Sequence, residues 1–317
     1  MKKRTILLAV AALLTVCSQA KVRLPHLIGD NMVLQQNTEA RLWGWAAPGK
    51  TVSVTVSWNA KTYTARASKD GRWLVKVDTP KASYTPLSVT FDDGEPLTIH
   101  GVLSGEVWVC AGQSNMEMPV RGFGNCPVEG YNDAVLEARD YAAIHYVKVP
   151  SVMSMTPLDD ANCEWRVTGP STVGEASATG YFFAQVLTKA LDVPVGLVIA
   201  NKGGTRVESW LTRENLAKYT KEPLDTMGIV NGHSWDYHRQ LVWGNGTFNP
   251  ILNYTVKGII YYQGCSNVGD PGNQYSERLQ LLVEQWRGQF GLGEIPFYFV
   301  EIAPYHYDDV NGEAGAR

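Results

Sequence analysis

The sequence predicts an α/β domain preceded by an all-β sandwich, and three observations carry that prediction. From about residue 24 to 103, short alternating segments are separated at close intervals by turn residues. After about residue 104, apolar segments of roughly five to eight residues alternate with helical stretches, the pattern of a mainly parallel sheet covered by helices. Before both, residues 1–20 read as a leader rather than as part of the fold. The expected organisation is therefore a signal peptide (1–20), a β-sandwich domain (21–103) and an α/β domain (104–317).

The leader has a positive start in Lys2, Lys3 and Arg4, an apolar run from Ile6 to Val16, and a small-x-small site at Ser18-Gln19-Ala20. The apolar run is short for a bilayer span, and its removal leaves no transmembrane segment in the reading. A periplasmic or secreted product is expected. Lipid anchoring at Cys17 is disfavoured, because Val16 is bulkier than the residue usual before a lipidated cysteine.

In the β region, Val52, Val54, Val56 and Trp58 alternate with Thr51, Ser53, Thr55 and Ser57. Asn59-Ala60-Lys61 turns the chain into a partner strand at 62–67. Asp70-Gly71 is a hairpin signal ahead of Trp73, Val75 and Val77. Trp43, Trp45 and Trp58 suit either a core or a sugar-facing surface.

In the α/β region, strands are expected at Glu106–Ala111, Val193–Ala200, Val256–Tyr262 and Pro296–Ile302. A helix is expected from Glu175 to Leu191, with Thr172 and Glu175 at capping-box spacing. A second places Tyr275, Leu279, Leu282, Val283, Trp286 and Phe290 on one face.

Composition narrows the function. The chain is 44% hydrophobic and 19% charged with a formal charge of −3, which becomes −6 without the three leader cations, so nucleic acid is not an expected partner. No cysteine or histidine spacing indicates a metal, and no cofactor motif is present. Four cysteines remain after the leader, and Cys126–Cys163 is the expected disulfide because both lie in polar, loop-like stretches. Cys110, inside an apolar strand, reads as a buried thiol.

Chemistry-bearing residues cluster just past the end of each strand. The first strand runs into Gly112-Gln113-Ser114-Asn115, the second into Asn201-Lys202-Gly203-Gly204-Thr205, the third into Gln263-Gly264-Cys265-Ser266-Asn267, and the fourth into Pro304-Tyr305-His306. The carboxyl ends of parallel strands lie along one edge, so the first three clusters are expected to meet in one crevice. Ser114, at a strand-to-helix turn, is the candidate nucleophile. Gly203-Gly204 allows close backbone approach, and the amides of Gln263 and Asn267 are neutral donors, a set suited to acyl transfer through an oxyanion. Met116 occupies the second glycine position of a Gly-x-Ser-x-Gly elbow, which disfavours the α/β-hydrolase fold.

"GQSNMEMP" at 112–119, "NKGGTRVESW" at 201–210, "GNGTFNPILNYTVKGIIYYQGCSN" at 244–267 and "NMVLQQ" at 31–36 together resemble the sialate O-acetylesterase family, a branch of the SGNH hydrolases. The resemblance covers nearly all of the chain after the leader. It implies a flavodoxin-like three-layer catalytic domain that hydrolyses O-acetyl esters on sugars without a metal. By position it makes Ser114 the nucleophile and its own N–H the first oxyanion donor, Gly204 or Gly203 the second, and Gln263 or Asn267 a side-chain donor.

Two departures stand out. Cys265 replaces the glutamate of the family's usual Gln-Gly-Glu. The family's late Asp-x-His-Pro segment does not appear before the sequence closes on "NGEAGAR", so the α/β domain is expected to be incomplete and part of the triad missing. Of the histidines present, His26 and His100 fall in the β region and His145 in a strand, while Asp236-Tyr237-His238 imitates the missing pair and makes His238 the candidate base ahead of His306. The expected function is a carbohydrate O-acetylesterase. The alternatives are a non-catalytic glycan-binding or impaired protein, and a lipid esterase of the wider SGNH group.

Overall fold

A computed structural model describes residues 21–269 and 274–302; the expected leader at 1–20 and the cluster Pro304-Tyr305-His306 lie outside the described residues. The first seven strands are β1 (Val33–Gln35), β2 (Glu39–Trp45), β3 (Thr51–Val56), β4 (Thr62–Arg66), β5 (Arg72–Asp78), β6 (Ser83–Asp92) and β7 (Leu97–Gly112). The alternation read in β3 and β5 is realised: Val52, Val54, Val56, Trp73, Val75 and Val77 are all buried. Trp58 lies just past β3, its indole donating to Asp78 O at 2.7 Å. Trp43 is buried against Tyr254, and the Arg23 guanidinium covers the Trp45 ring at 3.6 Å.

One turn differs from expectation. Asp70-Gly71 does turn the chain, with Gly71 at φ +80°, but it closes no hairpin. β4 bonds to β3, whereas β5 bonds to β2 in a separate two-stranded sheet. Crossing between sheets lets the apolar faces of β3 and β5 look at one another over a shared core, where Trp73 meets Phe91 with ring centroids 5.9 Å apart.

β7 organises the molecule. Its first half pairs antiparallel with β6 and parallel with β1; its second half lies between two parallel strands. The strand is 16 residues long, so the expected boundary between 103 and 104 falls inside it. Gln35 and Gln36, from "NMVLQQ", bind the buried Glu106 carboxylate at 3.2 and 2.8 Å, and Gln35 also accepts from Val107 N. They fix β1 where β7 passes from one set of partners to the other.

After β7 come α1 (Ser114–Glu117), α2 (Tyr131–Glu137), β8 (Ile144–Lys148), β9 (Trp165–Val167), α3 (Ala178–Leu191), β10 (Val195–Asn201), α4 (Arg213–Leu216), α5 (Thr226–Asn231), β11 (Gly258–Tyr262), α6 (Tyr275–Phe290) and β12 (Phe297–Phe299). The sheet reads β9-β8-β10-β7-β11-β12, parallel throughout except at β9. Helices cover both faces of this mixed sheet. Trp108 and Cys110 of β7 face Tyr181 and Ala184 of α3, whereas Val107, Val109 and Ala111 share a core with Trp286 and Phe290 of α6. That second core continues without interruption into Val52, Val54 and Trp73. Across it, Tyr254 Oη donates to Val33 O at 2.8 Å, and Arg41 donates to the carbonyls of Phe290 and Gly291 at the carboxyl end of α6.

α3 starts later than its spacing predicts. Thr172 donates its hydroxyl to Val167 O and Glu175 pairs with Arg121, so neither caps the helix, and residues 173–175 form one 3-10 turn. Ser177 is the cap, accepting from Gly180 N while its hydroxyl donates to Met116 O at 2.6 Å. The expected Cys126–Cys163 disulfide does not form: Cys110, Cys126, Cys163 and Cys265 are all free thiols. Cys126 is exposed in its own loop, while burial pushes the Cys163 thiol up to about 12 and that of Cys110 higher still.

Candidate active site

Three strand ends meet at one residue. Gly112, the last residue of β7, is in register with Asn201 at the end of β10 and with Tyr262 at the end of β11. The loops 112–115, 201–205 and 263–267 therefore leave the sheet side by side, at the central strand. Gly112 permits this at φ +136°, because a Cβ there would lie 2.2 Å from Tyr262 O.

Ser114 opens α1 in the middle of this edge and is half-buried. Among the described residues nothing hydrogen-bonds its hydroxyl, and its backbone N–H has no acceptor. The residues on either side of it are held firmly. Gln113, buried, accepts through Oε1 from Gly264 N (3.1 Å) and Ser266 N (3.3 Å), and its Nε2 donates to Ser266 Oγ. Glu117 accepts from Gly203 N at 2.6 Å. Gln113 thus ties the first loop to the third, and Glu117 ties the first helix to the second loop.

The two glycines of the second loop divide in role. Gly203 faces Ser114: a Cβ built on it would lie 3.5 Å from Ser114 Cβ. Its N–H, however, is taken by Glu117. The Gly204 N–H has no acceptor among the described residues, and Gly204 adopts φ +79° with the Tyr237 ring against it.

The amides of Gln263 and Asn267 form a buried framework behind these loops. Gln263 Nε2 donates to Thr205 O (3.0 Å) and to Asn267 Oδ1 (2.8 Å), using both of its hydrogens. Its Oε1 accepts from Tyr275 Oη at 2.7 Å, and burial pushes that phenol up, so it stays a donor at neutral pH. Asn267 Oδ1 also accepts from Val207 N, and its Nδ2 donates to Glu208 Oε2 at 2.9 Å. Glu208 in turn pairs with Arg278 Nη1 at 2.6 Å, and Arg278 lies over the Tyr219 ring. Both amides, expected from the sequence as oxyanion donors, here connect loop to loop.

The histidines are distributed differently from the other groups. No described histidine hydrogen-bonds Ser114. His238 sits on the segment that overhangs Gly204, edge-on to Tyr237 at 4.8 Å and near His233 at 6.3 Å. His145 is buried in β8 and donates from Nδ1 to Asn31 O at 2.6 Å, while His26 pairs with Asp160. His306 lies outside the described residues. Among the described residues no group of three His, Cys, Asp or Glu is arranged to hold a metal ion.

Sequence reasoning passed over Gln113, Glu117, Glu208 and Arg278. The first three lie inside the quoted motifs, where a polar residue next to a nucleophile or a glycine pair was the available signal. Arg278 carried none: it is the one buried charge on the apolar side of α6.

A serine hydroxyl without a partner thus stands at the carboxyl edge of a mixed α/β sheet, and the adjacent loop carries a glycine N–H with no acceptor among the described residues. A family model described as carbohydrate esterase, sialic acid-specific acetylesterase, matches residues 104–314, and the chain belongs to that family. The human sialate O-acetylesterase is 29% identical over 89% of this chain and 57% of its own length, and the mouse protein is 28% identical over 89% and 60%. A carbohydrate acetylesterase from Xanthomonas citri has a similar structure, with a TM-score of 0.77 and 30% identity over 89% of this chain and 60% of that one. The chain therefore spans under two thirds of the length of these relatives.

Proposed function

We propose that the chain carries the nucleophile and oxyanion site of a carbohydrate O-acetylesterase. The observation that supports this most is the open Ser114 hydroxyl at the single register point, Gly112, where three loops meet. Ser114 Oγ attacks the acetyl carbonyl, and its proton passes to a base. The oxyanion of the tetrahedral intermediate accepts from the N–H groups of Ser114 and Gly204. The sugar hydroxyl leaves with a proton, and water then releases acetate from the acyl-serine. Glu117 positions the glycine pair by holding Gly203 N, which leaves Gly204 as the second donor. Gln263 and Asn267 act one layer back, keeping the third loop in place.

Two finer readings go with this. The order β10-β7-β11-β12, numbered along the chain, is 2-1-3-4, which agrees with the 2-1-3-4-5 of flavodoxin-like sheets as far as it goes. On that reading the unit is a three-layer SGNH hydrolase domain with β8 and β9 added at one edge, preceded by a β-sandwich. The leader-like residues 1–20 favour export to the periplasm or the medium.

The test is acetate release from an O-acetylated sugar by the whole chain and by its Ser114→Ala variant. Release is expected to fall by at least about a thousandfold in the variant. Equal release from both would remove Ser114 from the mechanism. Binding of the sugar without release by either would support the glycan-binding reading.

A further inference from the structure

Beyond α5 the chain forms an arm, residues 234–239, that leans over the second loop. Trp235 is 60% exposed, an unusual exposure for the largest side chain. Its ring is stacked on Tyr237, with centroids 5.7 Å apart and planes 11° from parallel. Tyr237 in turn rests on Gly204: a Cβ there would lie 2.6 Å from Tyr237 Cδ2. Gly203, the preceding residue, is the one that faces Ser114. The aromatic pair therefore adjoins the same glycine loop whose preceding residue faces Ser114.

The arm is anchored. The buried Ser209 hydroxyl donates to Tyr237 O at 3.0 Å, His238 N returns to Trp235 O at 3.0 Å, and Asp236 pairs with Arg239 at 2.7 Å. The ion pair leaves the aromatic surface without a dominant charge. A flat indole of this kind offers a large, rigid contact at low conformational cost and suits a ligand with an apolar C–H face rimmed by hydroxyls. A pyranose ring is such a ligand. Tyr237 packs against Gly204, and Trp235 adds an exposed aromatic face beside it.

We propose that Trp235, supported by Tyr237, is the platform on which the pyranose ring of the acetylated substrate lies while its ester reaches Ser114. This rests on the esterase reading above and adds to it where the sugar sits.

The experiment is isothermal titration of the whole chain bearing Ser114→Ala, which prevents turnover, with an O-acetylated methyl hexoside and with an O-acetylated sialic acid. Adding Trp235→Ala is expected to raise the Kd of the probe that binds by about tenfold. Trp235→Phe should keep most of the affinity, and Trp45→Phe, in the β region, should not change it. An unchanged Kd in Trp235→Ala, a loss that follows Trp45 instead, or no binding of either probe overturns the proposal. Acetate release by the unsubstituted chain that is lost with Ser114→Ala would still uphold the esterase reading, so the two can fail separately.

Discussion

Gln113 and Glu117 show how little freedom remains around Ser114. Each uses an amide or carboxylate oxygen to hold a backbone N–H of another loop, and Met118 N donates to Ser114 O at 2.8 Å, so the position of Ser114 is fixed while its hydroxyl stays open. Behind them, Glu208 joins Asn267 to Arg278 in a place where neither charge sees much water. A buried pair is worth little against an apolar replacement, but removing one partner is costly. Glu208→Gln is expected to destabilise the protein by about 3 kcal/mol, read from the urea unfolding midpoint, and to slow ester cleavage as the 263–267 loop loses its anchor. An unchanged midpoint would mean that this network is not what holds the loop. The meeting of the Ser114, glycine and third-strand loops was legible in the sequence because each follows an apolar strand of one parallel sheet. The roles of the amides were not, since which hydrogens of Gln263 and Asn267 remain available depends on partners 58 or more residues away for Thr205 and Glu208.

At the element level, β3, β5 and α6 were readable because apolar spacing sets which face is buried, and the second half of β7, β10 and β11 because a continuous apolar run marks a strand covered on both faces. The start of α3 was not. Thr172 and Glu175 have the right spacing for a capping box, but tertiary partners at Val167 and Arg121 claim them, and Ser177 takes over. The same limit applied to Asp70-Gly71, whose local turn chemistry is correct while its strand pairing is decided by the opposing sheet. β8 carries a testable consequence. Burial holds His145 below the ordinary histidine value of 6.5, so the folded protein keeps it neutral where the unfolded chain would protonate it. Its contribution to stability is therefore complete above about pH 6.5 and declines as pH falls from there toward the depressed folded value. Urea midpoints compared at pH 7.5 and 5.5 should drop less in His145→Gln than in the unsubstituted protein. Equal drops would show that His145 titrates as it does in water.

On the scale of the whole molecule, β7 passes through both halves, and one apolar core extends from Val52 to Trp286. The sequence shows a change of pattern near residue 104 but has no way to show that a single strand spans it. Thermal unfolding is accordingly expected to give one transition, coincident by near- and far-ultraviolet circular dichroism; two separated transitions would mean that the halves unfold independently. On the proposed reading, the three loops gathered at Gly112 make Ser114 a nucleophile toward esters. The most direct test of that reading is peptide mapping by mass spectrometry after treating the whole chain with a fluorophosphonate. The predicted result is one adduct on the peptide containing Ser114, absent in Ser114→Ala. An adduct on Cys265 or elsewhere, with Ser114 unmodified, would contradict it.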